Sequence, residues 1–230
     1  MKSLTQHINE KLVLTNKSKI RNSLKDSGFE YVDLELPSGN MWAVTNVGAD
    51  EETDCGDYFS WGETEPKEVY NWKTYKWCEQ SFDSLTKYCT DSVFGYEGFI
   101  DNIMQLEPED DAANVLMKGG WYIPSHEDVE ELMNNTTGSW EYNYNGTSVS
   151  GLLLTGKNKK QLFFPAVGYK DADNTFNLNN SGYYWISNFN KQIDPYNCEA
   201  ITIRKDKKVL FLNMDERYYG SCIRPVLKVK

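Results

Sequence analysis

Thiols and imidazoles are the first side chains of this sequence that could do chemistry. The sequence contains five cysteines, at Cys55, Cys78, Cys89, Cys198 and Cys222. They form no CxxC pair and no zinc-type spacing, which favours buried free thiols in a reducing environment. His7 and His126 are the two histidines, too few for a histidine metal site or Ser-His-Asp catalysis to be indicated. No GxSxG, P-loop or GxGxxG motif occurs. These features predict a protein that is not an enzyme.

A run of acids offers oxygen ligands for a hard cation. Glu107, Glu109, Asp110 and Asp111 stand immediately before a predicted helix. Calcium takes about six to eight oxygens from several segments, and the run lacks the spacing of an EF-hand. Acids in the first turn complement the helix dipole, which explains the run more simply. We therefore expect no metal and no cofactor.

The residues that best fit a binding surface lie near the carboxyl end, in segments 185–197 and 215–221. Tyrosine supplies a large contact area at low entropic cost, and Asn and Ser supply adaptable hydrogen bonds. The alternative is that many of these are turn residues and solvated strand edges. The candidate ligand-binding residues are Asn188, Asn190, Asp194, Tyr196, Asn197, Asp215, Tyr218, Tyr219 and Ser221.

An α+β order of elements must position these residues. Alternation over 29–36, a Pro-Ser-Gly-Asn turn and the apolar run 41–47 predict a β-hairpin. Residues 112–117 and the segment opened by the N-cap Ser125 predict two helices, the second with Val129, Leu132 and Met133 buried. Residues 63–100 show no period and predict a long loop region, and short strands follow residue 150.

Several large side chains are better explained by packing than by binding. Trp42, Trp61, Trp121 and Trp185 stand beside Gly or Pro in compact motifs, so we expect them in the core. Arg224, next to a proline near the carboxyl end, is expected to be a structural ion-pair partner.

Length, composition and charge narrow the classes of partner. The chain has 230 residues, of which 40% are hydrophobic and 25% charged, as in a globular protein. Its net charge of −10 opposes phosphate backbones and anionic membranes, so we expect no nucleic-acid partner. No apolar run has the length of a membrane span, and the first residues lack the apolar region of a signal peptide, so we expect no membrane insertion.

The chain divides into a basic N-terminal segment, 1–27, and a main domain, 28–230. Leu4, Ile8 and Leu12 form one apolar stripe in the first segment, which predicts a short helix. The segment is interpreted either as a tag that attaches the chain to a virion or to further copies of itself, or as a soluble arm.

Motifs spread over roughly residues 28–228 resemble, in order and spacing, the Fibrobacter succinogenes major paralogous domain family. The matching segments are 32–39, 42–43, 46–49, 56–64, 107–113, 120–125, 164–169, 182–187 and 217–226. The resemblance implies a C-type-lectin-like fold with two helices, a mainly antiparallel sheet, paired first and last strands, and long irregular loops that present ligands. Members occur in Bacteroidetes and their phages. The implied function is a non-enzymatic adhesin or receptor-binding module that recognises a bacterial surface glycan or protein.

The carboxyl-terminal part also resembles variable proteins diversified by retroelements, in which the stretch matching 184–226 is retargeted at surface positions. This likeness implies a virion or extracellular location if the chain is phage-associated; otherwise the absence of a signal peptide favours the cytoplasm. A structural decoration protein of a virion is the alternative. Formylglycine-generating oxidases share a related fold but use two closely spaced cysteines, whereas Cys198 and Cys222 lie 24 positions apart.

Overall fold

A computed structural model of the protein describes residues 24–26, 28–189, 194–206 and 210–228. Most of the basic segment 1–27, with its predicted helix, lies outside the described residues, as does the candidate Asn190. The strands are β1 (Leu24–Asp26), β2 (Phe29–Val32), β3 (Met41–Ala43), β4 (Trp121–Tyr122), β5 (Thr136–Glu141), β6 (Gly151–Gly156), β7 (Gln161–Pro165), β8 (Tyr169–Asp171), β9 (Asn174–Phe176), β10 (Ser181–Trp185), β11 (Asn197–Arg204), β12 (Leu210–Glu216) and β13 (Val226–Leu227). The helices are α1 (Ala112–Met117) and α2 (His126–Asn135), with 3₁₀ turns at Tyr96–Gly98, Pro108–Asp110 and Tyr144–Gly146.

The strands form antiparallel sheets. Their orders are β1-β2-β3-β13-β4, β5-β6-β7, β8-β9 and β10-β11-β12. With two helices beside these sheets, the described part of the chain is an α+β fold, as the order of elements predicts.

The end of the chain is held inside the first sheet. Val226 of β13 pairs with Trp42 of β3 on one side and with Tyr122 of β4 on the other. The expectation that the first and last strands pair is wrong in detail, because the predicted first strand, 29–36, corresponds to β2, which pairs with β3, and β3 pairs with β13. A strand flanked on both sides has its backbone hydrogen bonds satisfied, so this arrangement fixes the segment that leads out of the candidate region.

Helix α2 forms where its capping residues predict it. The Ser125 hydroxyl accepts from the Asp128 N–H, and the Asp128 carboxylate accepts from the Ser125 N–H, which completes a capping box. Val129 and Leu132 are buried, but Met133 is 40% exposed, so the predicted stripe is one residue too wide. Strand β5 begins directly after the helix. The sequence does not predict this strand, because the same residues are interpreted as the end of the helix.

The four core tryptophans are where the sequence predicts them. Trp42, Trp61, Trp121 and Trp185 are at most 1% exposed. The Trp61 indole N–H donates to the Ile186 carbonyl at 2.8 Å, which offsets the cost of burying it. Replacing any one of these rings by alanine would cost about 3–5 kcal/mol.

The two buried arginines are also part of the core. Arg224 donates to the carbonyls of Val44 and Phe163 and to the Asn46 side chain at 2.8–3.0 Å. Its partners are therefore neutral acceptors, in place of the expected ion pair. They hold the charge in place by hydrogen bonds at a site where water has no access.

Segment 63–100 is irregular, as predicted, yet it has a core of its own. Tyr75, Cys78, Leu85 and Cys89 are buried together. Side-chain hydrogen bonds hold the segment in place of the backbone hydrogen bonds of a sheet. For example, the Tyr75 hydroxyl donates to the Trp61 carbonyl at 2.9 Å. This small core supports the candidate tyrosines.

Candidate functional site

The chain turns immediately after β12. The first side chain of the turn points into the core, and the next two lie at the surface. Arg217 is fully buried, with its guanidinium 4.6 Å from the ring centroids of Trp61 and Phe189. The next two residues, Tyr218 and Tyr219, are half-buried, and their ring centroids lie 4.6 Å apart. The cation beneath anchors the turn by cation–π contact, so both tyrosines are held at the surface.

These two tyrosines belong to a continuous row of partly exposed rings, which we call the aromatic strip: Trp72, Tyr218, Tyr219, Tyr169, Tyr183 and Phe176. The centroid distances are 5.1 Å for Trp72–Tyr218, 4.6 Å for Tyr218–Tyr219, 5.1 Å for Tyr219–Tyr169, 5.1 Å for Tyr169–Tyr183 and 5.6 Å for Tyr169–Phe176. All lie in the range of favourable aromatic contact. The strip thus combines apolar ring area with phenol hydroxyls.

Backbone contacts fix the position of Tyr169 relative to Tyr219. Lys170 and Gly220, the residues that follow them, exchange two backbone hydrogen bonds of 2.7 and 2.9 Å. Gly220 also packs against the Tyr70 ring, where an added Cβ would lie 2.8 Å from a ring carbon. The hairpin of β8 and β9 is therefore clamped to the turn after β12, and the strip is organised before any ligand arrives.

Tyr196 lies in a second aromatic group, with Phe82 and Phe94. Its ring centroid is 5.3 Å from that of Phe82 and 5.2 Å from that of Phe94, and its hydroxyl donates to the Asp194 carboxylate at 3.3 Å. Phe82 is 44% exposed. Phe94 and Tyr218 pack against the same small core of segment 63–100, so both aromatic groups share one support.

The structure places two other candidates away from these rings. Asn188 accepts a hydrogen bond from the His126 N–H at 2.8 Å, at the start of α2. Ser221 is 1% exposed, and its backbone pairs with that of Phe59. A ligand outside the folded protein has no access to the Ser221 hydroxyl. Asn197 opens β11 and is half-buried.

Acids lie beside the strip. Asp215 is on β12, and one of its carboxylate oxygens is buried without a hydrogen-bond partner among the described residues. Burial, and then the charge of Glu216, raises the pKa of Asp215 to about 6. Burial is also the main cause that raises the pKa of Tyr169, and the nearby Tyr183, Asp171 and Asp215 raise it further. The Tyr169 phenol is therefore neutral at physiological pH and can both donate and accept hydrogen bonds.

The thiols of the two carboxyl-terminal cysteines are poor nucleophiles. Both Cys198 and Cys222 are fully buried. Burial raises the pKa of Cys198 to about 12 and that of Cys222 well above its ordinary value. Thiol chemistry requires the thiolate, so neither side chain is prepared for the oxidase reaction considered above.

Comparison of the chain with family models, with curated proteins and with solved structures finds no match. The likeness to the Fibrobacter paralogous domain thus stays a prediction. In the part of the chain that the structure describes, no helix is both long and apolar enough to span a bilayer. Over the same residues, no group of three or more His, Cys, Asp or Glu could hold a metal ion.

Sequence reasoning missed Trp72, Tyr169, Phe176 and Tyr183. A local signal for Tyr183 exists in its residue type and its place at the start of a run of three large rings on β10, of which Tyr184 and Trp185 are buried and Tyr183 is half-buried. Phe176 lies opposite Tyr169 in the β8–β9 hairpin. Trp72 and Tyr169 reach Tyr218 and Tyr219 through contacts between distant segments, for which the sequence carries no local signal.

Proposed function

We propose that this chain is a non-enzymatic binding module of C-type-lectin-like fold that recognises a bacterial surface glycan. The observation that carries the proposal is the aromatic strip. Sugars present flat apolar C–H faces ringed by hydroxyls, and a tyrosine complements both, since its ring covers the face and its phenol stays wet. Neighbouring rings at 4.6–5.6 Å offer room for more than one sugar residue.

A fixed strip favours such a ligand. Two backbone hydrogen bonds between Lys170 and Gly220 clamp its centre, and Arg217 anchors its turn from below. Ordering costs that a flexible loop would incur on binding are thereby avoided. Tyrosine-rich surfaces also suit protein ligands, so a bacterial surface protein is the alternative that the test must separate.

The wider biological setting is proposed on the resemblance. A phage-associated or cellular adhesin would display several copies, and multivalent display would raise the avidity of weak single sites by about 10²–10⁴. Residues 1–27 would attach the chain to its assembly. If the module is diversified by a retroelement, a near-copy of the codons for 184–226, differing mainly at adenines, lies beside a reverse-transcriptase gene.

The test is binding of the full chain, presented as a multimer, to a glycan array and to whole Bacteroidetes cells. We expect binding to glycans that survives protease treatment of the cells and is weakened by Tyr219→Ala. Binding abolished by protease would assign a protein ligand instead. Absence of any binding by a folded multimer would overturn the proposal and favour a decoration protein whose strip packs on neighbouring subunits.

A further inference from the structure

A pocket of about 700 Å³ opens at the Tyr183 end of the aromatic strip. Tyr183 lines it, and the same ring lies 5.1 Å from Tyr169. Arg204 and Lys205 also line it. We propose that this pocket binds the carboxylate of an acidic sugar, such as a uronic acid, whose neighbouring sugar residues lie on the strip. This inference rests on the proposed glycan-binding function and names the class of glycan.

Lys205 is the cation available to a ligand. Its ammonium nitrogen lies 5.2 Å from the ring centroid of Tyr142, which also lines the pocket. The side chain is exposed, and over the described residues the ion pairs around the pocket join Arg204 to Asp206 without including Lys205. A sugar carboxylate would thus meet a positive charge already directed across an aromatic ring.

Arg204 shows directly what the pocket can hold. Its Nε and Nη2 donate to the two carboxylate oxygens of Asp206 at 3.0 and 2.8 Å. This is the two-pronged geometry by which a guanidinium recognises a carboxylate. Asp206 therefore occupies a site that a ligand carboxylate could share, and among the described residues that line the pocket two are cations and one is an anion.

Backbone hydrogen bonds fix the positions of the residues that line the pocket. Ser181 pairs with Arg204 in the β10–β11 ladder, and the Lys205 N–H donates to the Asn180 carbonyl at 3.0 Å. Asn177 adopts a left-handed conformation, with φ of 60°, and its side-chain amide donates to the Tyr183 hydroxyl oxygen at 3.3 Å. The Tyr183 phenol proton is left to donate to a ligand.

The charges near the strip and in the pocket determine where the carboxylate of a ligand can lie. Asp171, Asp215 and Glu216 lie near the strip, where they influence the tyrosines electrostatically. A carboxylate placed there would be repelled, whereas hydroxyls would be accepted. In a chain of net charge −10, the cation-lined pocket is the end that suits an acid group.

The experiment measures binding of the full chain to two oligosaccharides of the same length by calorimetry at low salt. One carries a uronic acid, and the other is its carboxyl-reduced, neutral counterpart. We expect the acidic ligand to bind about 3–10-fold more tightly, with a preference that shrinks as salt rises. Lys205→Gln should reduce the preference, weakening the acidic ligand more than the neutral one, because Arg204 remains in the pocket lining. Asp206→Asn, which releases Arg204, should increase the preference.

Lys157→Gln is the matched control, because Lys157 is also exposed, does not line the pocket, and donates to the side chain of Asn135, the last residue of α2. It should change neither affinity. Equal binding of the two oligosaccharides by the wild type would overturn the pocket assignment and leave the glycan function standing. Binding of neither would overturn both. A preference shown only by a sulfated counterpart would overturn the carboxylate assignment. Unchanged urea midpoints for Lys205→Gln and Asp206→Asn would confirm that both variants fold.

Discussion

Tyr218 and Tyr219 are consecutive in the chain, yet their ring centroids lie 4.6 Å apart on the same side of the molecule. In an extended strand, neighbouring side chains point to opposite faces. The chain leaves β12 and turns at these residues, while Arg217 enters the core. The end of one strand thus creates a two-ring platform, and the β8–β9 hairpin extends it.

Removing the central ring of the strip should weaken glycan binding. Tyr219 contacts both Tyr218 and Tyr169, so Tyr219→Ala divides the strip in two. We expect a loss of about 1–2 kcal/mol in binding free energy, or roughly 5–30-fold in Kd, measured by calorimetry. Tyr219→Phe keeps the ring and should retain most of the affinity. Equal losses in the two variants would show that the hydroxyl, and not the ring, is the source of binding energy.

Gly168 should be needed for the hairpin that carries Tyr169. It has φ of +66°, and an added Cβ would lie 2.0 Å from the Phe176 carbonyl oxygen. Gly168→Ala should therefore lower the free energy of unfolding by about 2–3 kcal/mol and reduce glycan affinity. The control is Gly39→Ala, where φ is +76° but no atom lies within 4 Å. It should cost only the conformational strain, about 1 kcal/mol, and leave binding unchanged. Similar effects in both variants would argue against the close contact.

The predictable parts of the fold are those with local signals. Ser125 and Asp128 lie three residues apart and form their capping box within one turn, so spacing alone predicts the start of α2. Large indoles next to turn residues predict burial because no surface position would compensate for exposing them. Strand β5 could not be predicted, since its Thr-Thr-Gly sequence also reads as a helix end.

The candidate site shows the limit of composition as a guide. Tyr218 and Tyr219 could be predicted, because tyrosines near polar residues favour a recognition surface. Ser221 satisfies the same rule but faces inward, because pairing with Phe59 sets its orientation and that partner is distant in sequence. The asparagines just before β10 have a backbone role: Asn177 and Asn179 both have positive φ, which Asn tolerates better than most residues.

Arg224 should be essential for stability. Arg224→Met would leave the half-buried Val44 carbonyl, the buried Phe163 carbonyl and the buried Asn46 side chain without the donor they now share. We expect a loss of about 3–5 kcal/mol in the free energy of unfolding, measured with urea. Arg204→Met is the control, since the Arg204 side chain is 44% exposed, and it should change stability by less than about 1 kcal/mol. An unchanged urea midpoint for Arg224→Met would show that these acceptors find other partners.

Asp215 should make stability fall as pH rises. Its pKa is raised from 3.8 to about 6 by burial, so the folded chain holds this proton more tightly than the unfolded chain does. The stabilisation is full below pH of about 4 and is lost as pH rises through about 6. Asp215→Asn lacks this loss, so its advantage over the wild type should grow across that range by about 2–3 kcal/mol.

Urea unfolding at a series of pH values measures this advantage as a difference between two proteins. Asp111 and His126, whose pKa values are also raised, titrate in both and cancel from the difference. The exposed Asp194→Asn is the control for exchanging an acid for its amide and should leave the urea midpoint at neutral pH nearly unchanged. A flat difference for Asp215→Asn would mean that its carboxylate is solvated, and the acid beside the strip would then already be ionised at about pH 5.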